Sequence, residues 1–163
     1  MKPATHRTAL RVQEVLGPRF EVKEFEASTR SAAEAAAAIG CTVGQIAKSL
    51  VFRATISDRA VIVITCGTNR VRESIIATHL GETVERANAD FVRKRTGFAI
   101  GGVPPVGHSE RALIIIDEDL RSFDEIWAAA GTPNAVFRLD FEDLLQLTGG
   151  TVTRVAENVS ANS

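Results

Sequence analysis

Lys48 is the residue whose place in the sequence is hardest to explain by folding alone. It lies in residues 46–53, whose apolar pattern predicts a β-strand, and alternation along that strand puts Ile46, Lys48 and Leu50 on one face. A lysine partly buried on such a face is destabilising unless an anionic group answers its charge. The spacing alone leaves two interpretations equally open: a site for an anionic ligand, or a side chain that reaches solvent at a sheet edge.

The second candidate is the loop at residues 101–108, which reads Gly-Gly-Val-Pro-Pro-Val-Gly-His. Glycine allows a ligand to approach the backbone closely, and proline restricts the chain, so a loop of this composition can present N–H groups rigidly. Such groups can hold a carbonyl oxygen or a phosphate. The spacing matches neither the Walker nor the dinucleotide-binding glycine pattern. A structural turn and a binding site are again equally open.

Other residues with reactive side chains are better explained by structure. His108 could act as a base or hold a phosphate, but a single loop histidine is more often a surface hydrogen-bonding residue. Cys41 and Cys66 form no Cys-x-x-Cys pair, and Cys66 ends an apolar run, which indicates a core residue. The acidic residues 117–119 follow a predicted strand and are typical of a helix cap. We therefore predict no metal site and no cofactor.

The elements that must position these residues follow from apolar periodicity and from capping residues. Helices are predicted at residues 8–16, 31–39, 71–80, 88–97 and 140–149, and strands at 20–25, 46–53, 60–66, 84–87, 112–116, 126–129, 135–139 and 151–155. The strands at 46–53 and 60–66 are predicted to form a hairpin, and the strand at 112–116 to be buried on both faces. The irregular spacing favours a mixed α+β sheet with helices around it over a repeating βαβ fold.

Composition limits the class of protein. The chain has 163 residues, of which 45% are hydrophobic and 24% charged, and this predicts one globular domain (1–163) with a core at about 20–156. No apolar run approaches the roughly 18 residues of a membrane span, and no signal peptide is visible, so a cytoplasmic protein without a membrane partner is expected. The net charge of −1 argues against binding to duplex DNA. The nucleophile elbow of α/β-hydrolases and the zinc-deaminase motif do not occur.

Three segments in fixed order carry a resemblance to a known family. Residues 45–52 (Gln-Ile-Ala-Lys-Ser-Leu-Val-Phe), residues 96–108 and residues 130–132 (Ala-Gly-Thr) resemble the YbaK family of freestanding aminoacyl-tRNA editing proteins. That family is similar to the editing domain inserted in bacterial prolyl-tRNA synthetases. The resemblance extends over about residues 29–155, and the lysine strand and the glycine-proline loop are far more specific together than either is alone.

The resemblance implies a fold and an activity. The fold is a strongly curved mixed sheet that resembles a partial barrel flanked by helices. The activity is hydrolysis of mischarged aminoacyl-tRNA, with tRNA(Pro) carrying cysteine or alanine as the first candidate and serine or threonine still open. The implied partners are the acceptor end of tRNA and prolyl-tRNA synthetase. A binding module that recruits tRNA or the synthetase without catalysis, and a purely structural domain, remain as alternatives.

The resemblance also implies roles for particular residues. Lys48 is the key polar residue of the pocket and is expected to act as an electrostatic anchor for the terminal nucleotide. An aminoacyl ester is already activated and has a neighbouring ribose hydroxyl, so no protein nucleophile or metal is required. The substrate-binding residues predicted in this way are Gly101, Gly102, Pro104, His108, Gly131, Thr132, Ile46 and Phe52.

Overall fold

A computed structural model describes residues 1–157. Within that range the chain folds into one nine-stranded mixed sheet with five α-helices packed against it. The sheet is open rather than closed into a barrel, since its two ends do not pair with each other. The predicted mixed α/β fold, with helices flanking a large mixed sheet, is confirmed.

The elements have the following bounds. The strands are β1 (Lys2–Pro3), β2 (Lys23–Glu24), β3 (Ile46–Ala54), β4 (Ala60–Cys66), β5 (Val84–Arg86), β6 (Leu113–Asp117), β7 (Ile126–Ala129), β8 (Ala135–Leu139) and β9 (Thr151–Thr153). The helices are α1 (Arg7–Leu16), α2 (Ala32–Ile39), α3 (Glu73–Leu80), α4 (Ala89–Thr96) and α5 (Phe141–Thr148), with short 3-10 helices at Val43–Gln45 and Glu118–Ser122.

The strands follow the order β1-β2-β8-β7-β3-β4-β6-β9, and β5 pairs with β3 outside this path. The predicted hairpin is confirmed, because β3 and β4 are antiparallel and pair at every position from Ala47 to Arg53. The contacts of β3 with β7, β4 with β6, and β6 with β9 are parallel, so the sheet is mixed. Strand β3 therefore lies near the middle of the sheet, with β4 along one complete edge.

The other edge of β3 is interrupted. Along it, β7 pairs only with Ile46 and Ala47, and β5 pairs only from Phe52 onwards. Residues 48–51 consequently face no strand on this side in the described part of the chain. The carbonyl of Val51 is still satisfied, because it accepts a hydrogen bond of 3.1 Å from the N–H of Ala87. The sheet thus contains a four-residue gap beside Lys48.

Buried apolar side chains form three clusters around the sheet. The largest cluster includes Ala9, Val12 and Leu16 from α1, so the core extends to residues before the predicted limit of about 20. It also includes Ala47 and Val51 from one face of β3. The middle of β4 is buried on both faces, which anchors its partner β3. The strand that carries Lys48 is therefore fixed by a complete ladder and by packed neighbours.

Some predicted boundaries were wrong for identifiable reasons. Of residues 20–25, only Lys23–Glu24 form a strand. The N–H of Val22 donates to Gln13 Oε1 at 2.8 Å, and the carboxylate of the buried Glu24 accepts the N–H groups of Thr5 and His6 at 2.8 and 3.0 Å. Side-chain bonds thus replace a longer ladder in this segment. Helix α3 begins at Glu73 rather than at residue 71, and β9 ends at Thr153 rather than at residue 155.

Two further predictions concern the strand at residues 112–116 and the acidic residues after it. Strand β6 is buried only at residues 115–117, and Leu113 and Ile114 remain partly exposed, so the prediction of burial along the whole strand was too broad. The predicted cap is confirmed, since the side chain of Asp117 accepts the N–H of Asp119 at the start of a 3-10 helix. The same carboxylate also accepts hydrogen bonds from Thr65 and Asn69, so it connects β6 to the end of β4. Among residues 1–157 no helix is both long and apolar enough to span a membrane.

Candidate functional site

A cavity of about 650 Å³ lies at the gap in the sheet. Its walls come from residues 46–51 of β3, from β7 and the start of β8, and from residues 29–32, which lead into α2. Ile100, Gly101 and Val103 of the loop complete the lining. The volume is within the roughly 300–1,000 Å³ that is typical of small-ligand sites. Because the sheet is interrupted here, the edge of β3 forms a wall of this cavity.

The charged residues of the cavity wall all carry positive charge: Arg30, Lys48 and Arg86. No aspartate or glutamate of residues 1–157 lines the cavity, and none of the three cations forms an ion pair with a carboxylate in that range. The guanidinium of Arg86 is 5.6 Å from the centre of the Phe52 ring, a cation–π contact. Arg30 and Arg86 are exposed and Lys48 is half-buried. Positive charge without a nearby carboxylate attracts an anionic ligand.

Two buried polar atoms without a partner in the described part of the chain belong to residues of the cavity wall. Within residues 1–157, neither Ser49 Oγ nor Trp127 Nε1 has a hydrogen-bond partner, although both atoms are shielded from solvent and both residues line the cavity. Buried polar groups are almost always hydrogen-bonded in native proteins, so an unpaired group beside a cavity indicates a position for a ligand atom. Sequence reasoning missed both residues. A serine in an otherwise apolar strand, next to Lys48, was the available signal for Ser49.

The glycine-proline loop forms the facing wall and is attached to the turn between β7 and β8. The N–H of Gly131 donates a hydrogen bond of 2.9 Å to the carbonyl of Gly102. A Cβ atom at Gly102 would lie 2.8 Å from the carbonyl oxygen of Gly131 and 2.8 Å from Cα of Thr132. Glycine is therefore required at this contact because two backbone segments touch. Phe98 and Val103 anchor the loop in the main core.

His108 lies within this loop and does not line the cavity. Its Nε2 is 2.7 Å from the carbonyl oxygen of Pro104, and since the carbonyl can only accept, Nε2–H is the donor. Burial lowers the pKa of His108, while the bond to Pro104 opposes that shift. The imidazole is accordingly neutral near pH 7, and its hydrogen bond connects the two ends of residues 104–108.

The structure divides the predicted site residues into two groups. Three of them line the cavity: Ile46, Lys48 and Gly101. The others lie outside its lining: Gly102, Gly131 and Thr132 at the contact between the loop and the turn, Pro104 and His108 in the fold of the loop, and Phe52 in the second core cluster beneath Arg86.

The arrangement supplies hydrogen-bond donors and positive charge rather than an acid–base pair. Residues 1–157 contain no group of three or more His, Cys, Asp or Glu side chains placed to hold a metal. Cys66 is buried and its Sγ lies 3.0 Å from the carbonyl of Gly44, outside the cavity lining. The prediction that Cys66 is a small core residue is confirmed. Positioning a ligand and stabilising negative charge are what these residues can do.

Comparison with known proteins gives a consistent result. Residues 26–147 match the aminoacyl-tRNA editing domain. The uncharacterized protein YwhH of Bacillus subtilis (strain 168) is 28% identical over 128 residues, which are 78% of this chain and 81% of YwhH. A proline–tRNA ligase of Thermoanaerobacter sp. (strain X514) is 30% identical over 112 residues, covering 67% of this chain but 19% of the ligase.

Among solved structures, a protein described as a candidate trans-editing enzyme for prolyl tRNA synthetase is 43% identical. It superposes with a TM-score of 0.90 over 95% of this chain and 100% of its own. The family match covers most of the chain, includes β3 with Lys48 and includes the glycine-proline loop. The chain therefore belongs to the aminoacyl-tRNA editing domain family.

Proposed function

We propose that this protein is a trans-editing hydrolase that removes a small wrong amino acid from tRNA, with tRNA(Pro) as the first candidate. The observation that carries the proposal is the cavity at the gap of β3. Its lining contains three unpaired cations and no carboxylate from residues 1–157. The acceptor end of a tRNA is rich in phosphate and ribose oxygens, which are anionic or accept hydrogen bonds.

The donors of the cavity suit such a ligand. Lys48 and Arg86 supply positive charge, and the indole N–H of Trp127 is a donor that can only be satisfied by an acceptor. The overall charge of −1 fits a protein that reads only the end of the tRNA, since broad contact with a nucleic acid requires a more basic surface. The likeness to part of a proline–tRNA ligase supports tRNA(Pro) as substrate and prolyl-tRNA synthetase as a partner.

The reaction is ester hydrolysis. A water oxygen bonds to the carbonyl carbon, and the bond from that carbon to the ribose oxygen breaks. One proton of the water passes to the ribose oxygen, which becomes a hydroxyl, and the amino acid leaves with a free carboxyl group. No histidine, aspartate or glutamate of residues 1–157 lines the cavity. The ammonium of Lys48 then contributes by holding the terminal nucleotide and by stabilising the oxyanion that develops on the carbonyl. Orientation of the water beside an already activated ester supplies the rest of the rate enhancement.

The test is a panel of one tRNA(Pro) charged separately with cysteine, alanine, serine or proline, with release of the labelled amino acid followed over time. We expect release of at least one wrong amino acid and no release of proline. Binding of the charged tRNA without release of any amino acid would instead identify a non-catalytic recruiting module. Absence of both binding and release would exclude an editing role of either kind.

A further inference from the structure

The side chain of Ser49 is not explained by the fold. Its Oγ is buried without a partner among residues 1–157, although a hydroxyl can both donate and accept. The residue lies in the middle of β3, where neighbouring side chains are apolar. A buried hydroxyl without a hydrogen bond destabilises the protein unless a ligand supplies the missing partner.

The surroundings of Ser49 are small and aliphatic. Alternation along β3 places it on the same face as Ala47 and Val51, and both belong to the main core cluster. The aliphatic side chains of Val103 and Ala128 belong to this cluster and line the same cavity. The Ser49 hydroxyl is thus the polar feature of an apolar recess, whereas Lys48 points to the opposite face of the strand.

We propose that this recess receives the side chain of the amino acid, and that Ser49 selects a substrate whose side chain carries a hydroxyl, as in a seryl or threonyl ester. The inference rests on the proposed editing function and specifies its substrate. A side-chain hydroxyl would complete the hydrogen bond of Ser49, whereas alanine would leave Oγ unpaired. A site that hydrogen-bonds a substrate hydroxyl discriminates strongly against analogues without it. The correct product, a prolyl ester, also lacks that hydroxyl.

The experiment compares one tRNA(Pro), charged chemically with serine or with alanine, and measures kcat/KM for each ester. The wild-type protein should favour the seryl ester by about tenfold or more. Ser49→Ala should lower kcat/KM for the seryl ester by about tenfold and leave that for the alanyl ester within about threefold. The variant should unfold at the same or a higher urea concentration, because the change removes an unsatisfied buried group.

Ser31→Ala is the matched control. Ser31 also lines the cavity, but its hydroxyl already accepts the N–H of Glu34 at 3.1 Å as the cap of α2. Its loss should destabilise the helix and leave the ratio of the two esters unchanged. The ratio therefore separates a role in selecting the side chain from a role in folding.

Two results would overturn the inference while leaving the editing function intact: faster release of alanine than of serine by the wild-type protein, or an equal loss for both esters in Ser49→Ala. The second result would mean that Ser49 holds a group common to all substrates. Release of no amino acid from any charged tRNA would overturn the editing function and the inference with it.

Discussion

The two walls of the cavity are built on different principles. The strand wall, residues 46–51 of β3, presents an unpaired ammonium at Lys48 and an unpaired hydroxyl at Ser49. The loop wall is attached through backbone contacts at Gly102 and through the bond between His108 and Pro104, and no charged side chain of residues 101–107 lies in it. We infer from this difference that side chains of the strand wall recognise ligand atoms, while the loop wall contributes its backbone and the shape of the space.

The largest effect is expected for Lys48→Met, which keeps much of the side-chain length and removes the charge. If the strand wall supplies the chemistry, kcat/KM for the mischarged tRNA should fall by about 100-fold or more. The urea unfolding midpoint should stay close to the wild-type value, since Lys48 forms no ion pair within residues 1–157. Lys94→Met, at an exposed position of α4, is the control. Activity within threefold of wild type would contradict the role of Lys48.

Gly102→Ala tests the loop wall. The added Cβ would lie 2.8 Å from the Gly131 carbonyl oxygen and would push the loop away from the turn. We expect destabilisation of about 1–3 kcal/mol in urea unfolding and a loss of about tenfold in kcat/KM. Gly81→Ala is the control, because residue 81 has φ +80° but no atom within 4 Å of the added Cβ. Gly81→Ala should lower the free energy of unfolding by about 1 kcal/mol and leave kcat/KM unchanged.

Trp127→Phe tests whether β7, which lies next to the strand wall, also contributes a hydrogen-bond donor to the ligand. The change removes the unpaired Nε1–H and keeps most of the aromatic surface. If Nε1–H meets an oxygen of the terminal nucleotide, kcat/KM should fall by about fivefold for seryl and alanyl esters alike. A loss restricted to one ester would show that Trp127 contacts the amino acid instead. Stability should not decrease, since the buried donor has no partner within residues 1–157.

The smallest effect on activity is expected for His108→Gln at neutral pH. Because burial lowers the pKa of His108 below its ordinary value of 6.5, the unfolded chain binds a proton more readily than the folded protein does. The stabilising contribution is therefore complete above about pH 6.5 and is lost as the pH falls below it.

The variant should reduce this loss, because glutamine can still donate to the Pro104 carbonyl and does not titrate. Urea unfolding at pH 7.5 and pH 5.5 measures the difference, with His79→Gln on the exposed side of α3 as the control. An unchanged loss of stability at low pH in His108→Gln would show that another group is responsible.

Much of the fold could be predicted because its signals are local. The helix caps at Ser31, Asn88 and Asp140 and the apolar run of β4 determine those elements within a few residues. The shape of residues 20–25 could not be predicted in this way, since it depends on Glu24 meeting backbone N–H groups that are remote in sequence. Tertiary hydrogen bonds of this kind leave no periodic pattern.

The candidate site was predictable only in part. The charge of Lys48 in an apolar strand was a visible anomaly, and the loop was recognisable from its glycines and prolines. Ser49 gave a weaker signal, as a serine in an otherwise apolar strand, and it becomes informative because its hydroxyl has no partner among residues 1–157. Phe52, two strand positions after Leu50, continues the face of Lys48 in the sequence, but it lies beyond the gap where β5 has joined β3. The limits of the gap depend on strand pairing between distant segments.

The interrupted edge of β3 separates two properties that usually conflict. Along its edge with β4 the strand keeps a continuous ladder, so its register and position are already determined. Along the gap, residues 48–51 contribute no strand pairing that a substitution could weaken. Val51 and Leu50 pack in apolar clusters, but Lys48 and Ser49 belong to none of them. The side chains at positions 48 and 49 can therefore change with little effect on the sheet, which would let related proteins acquire different substrate preferences while keeping one stable scaffold.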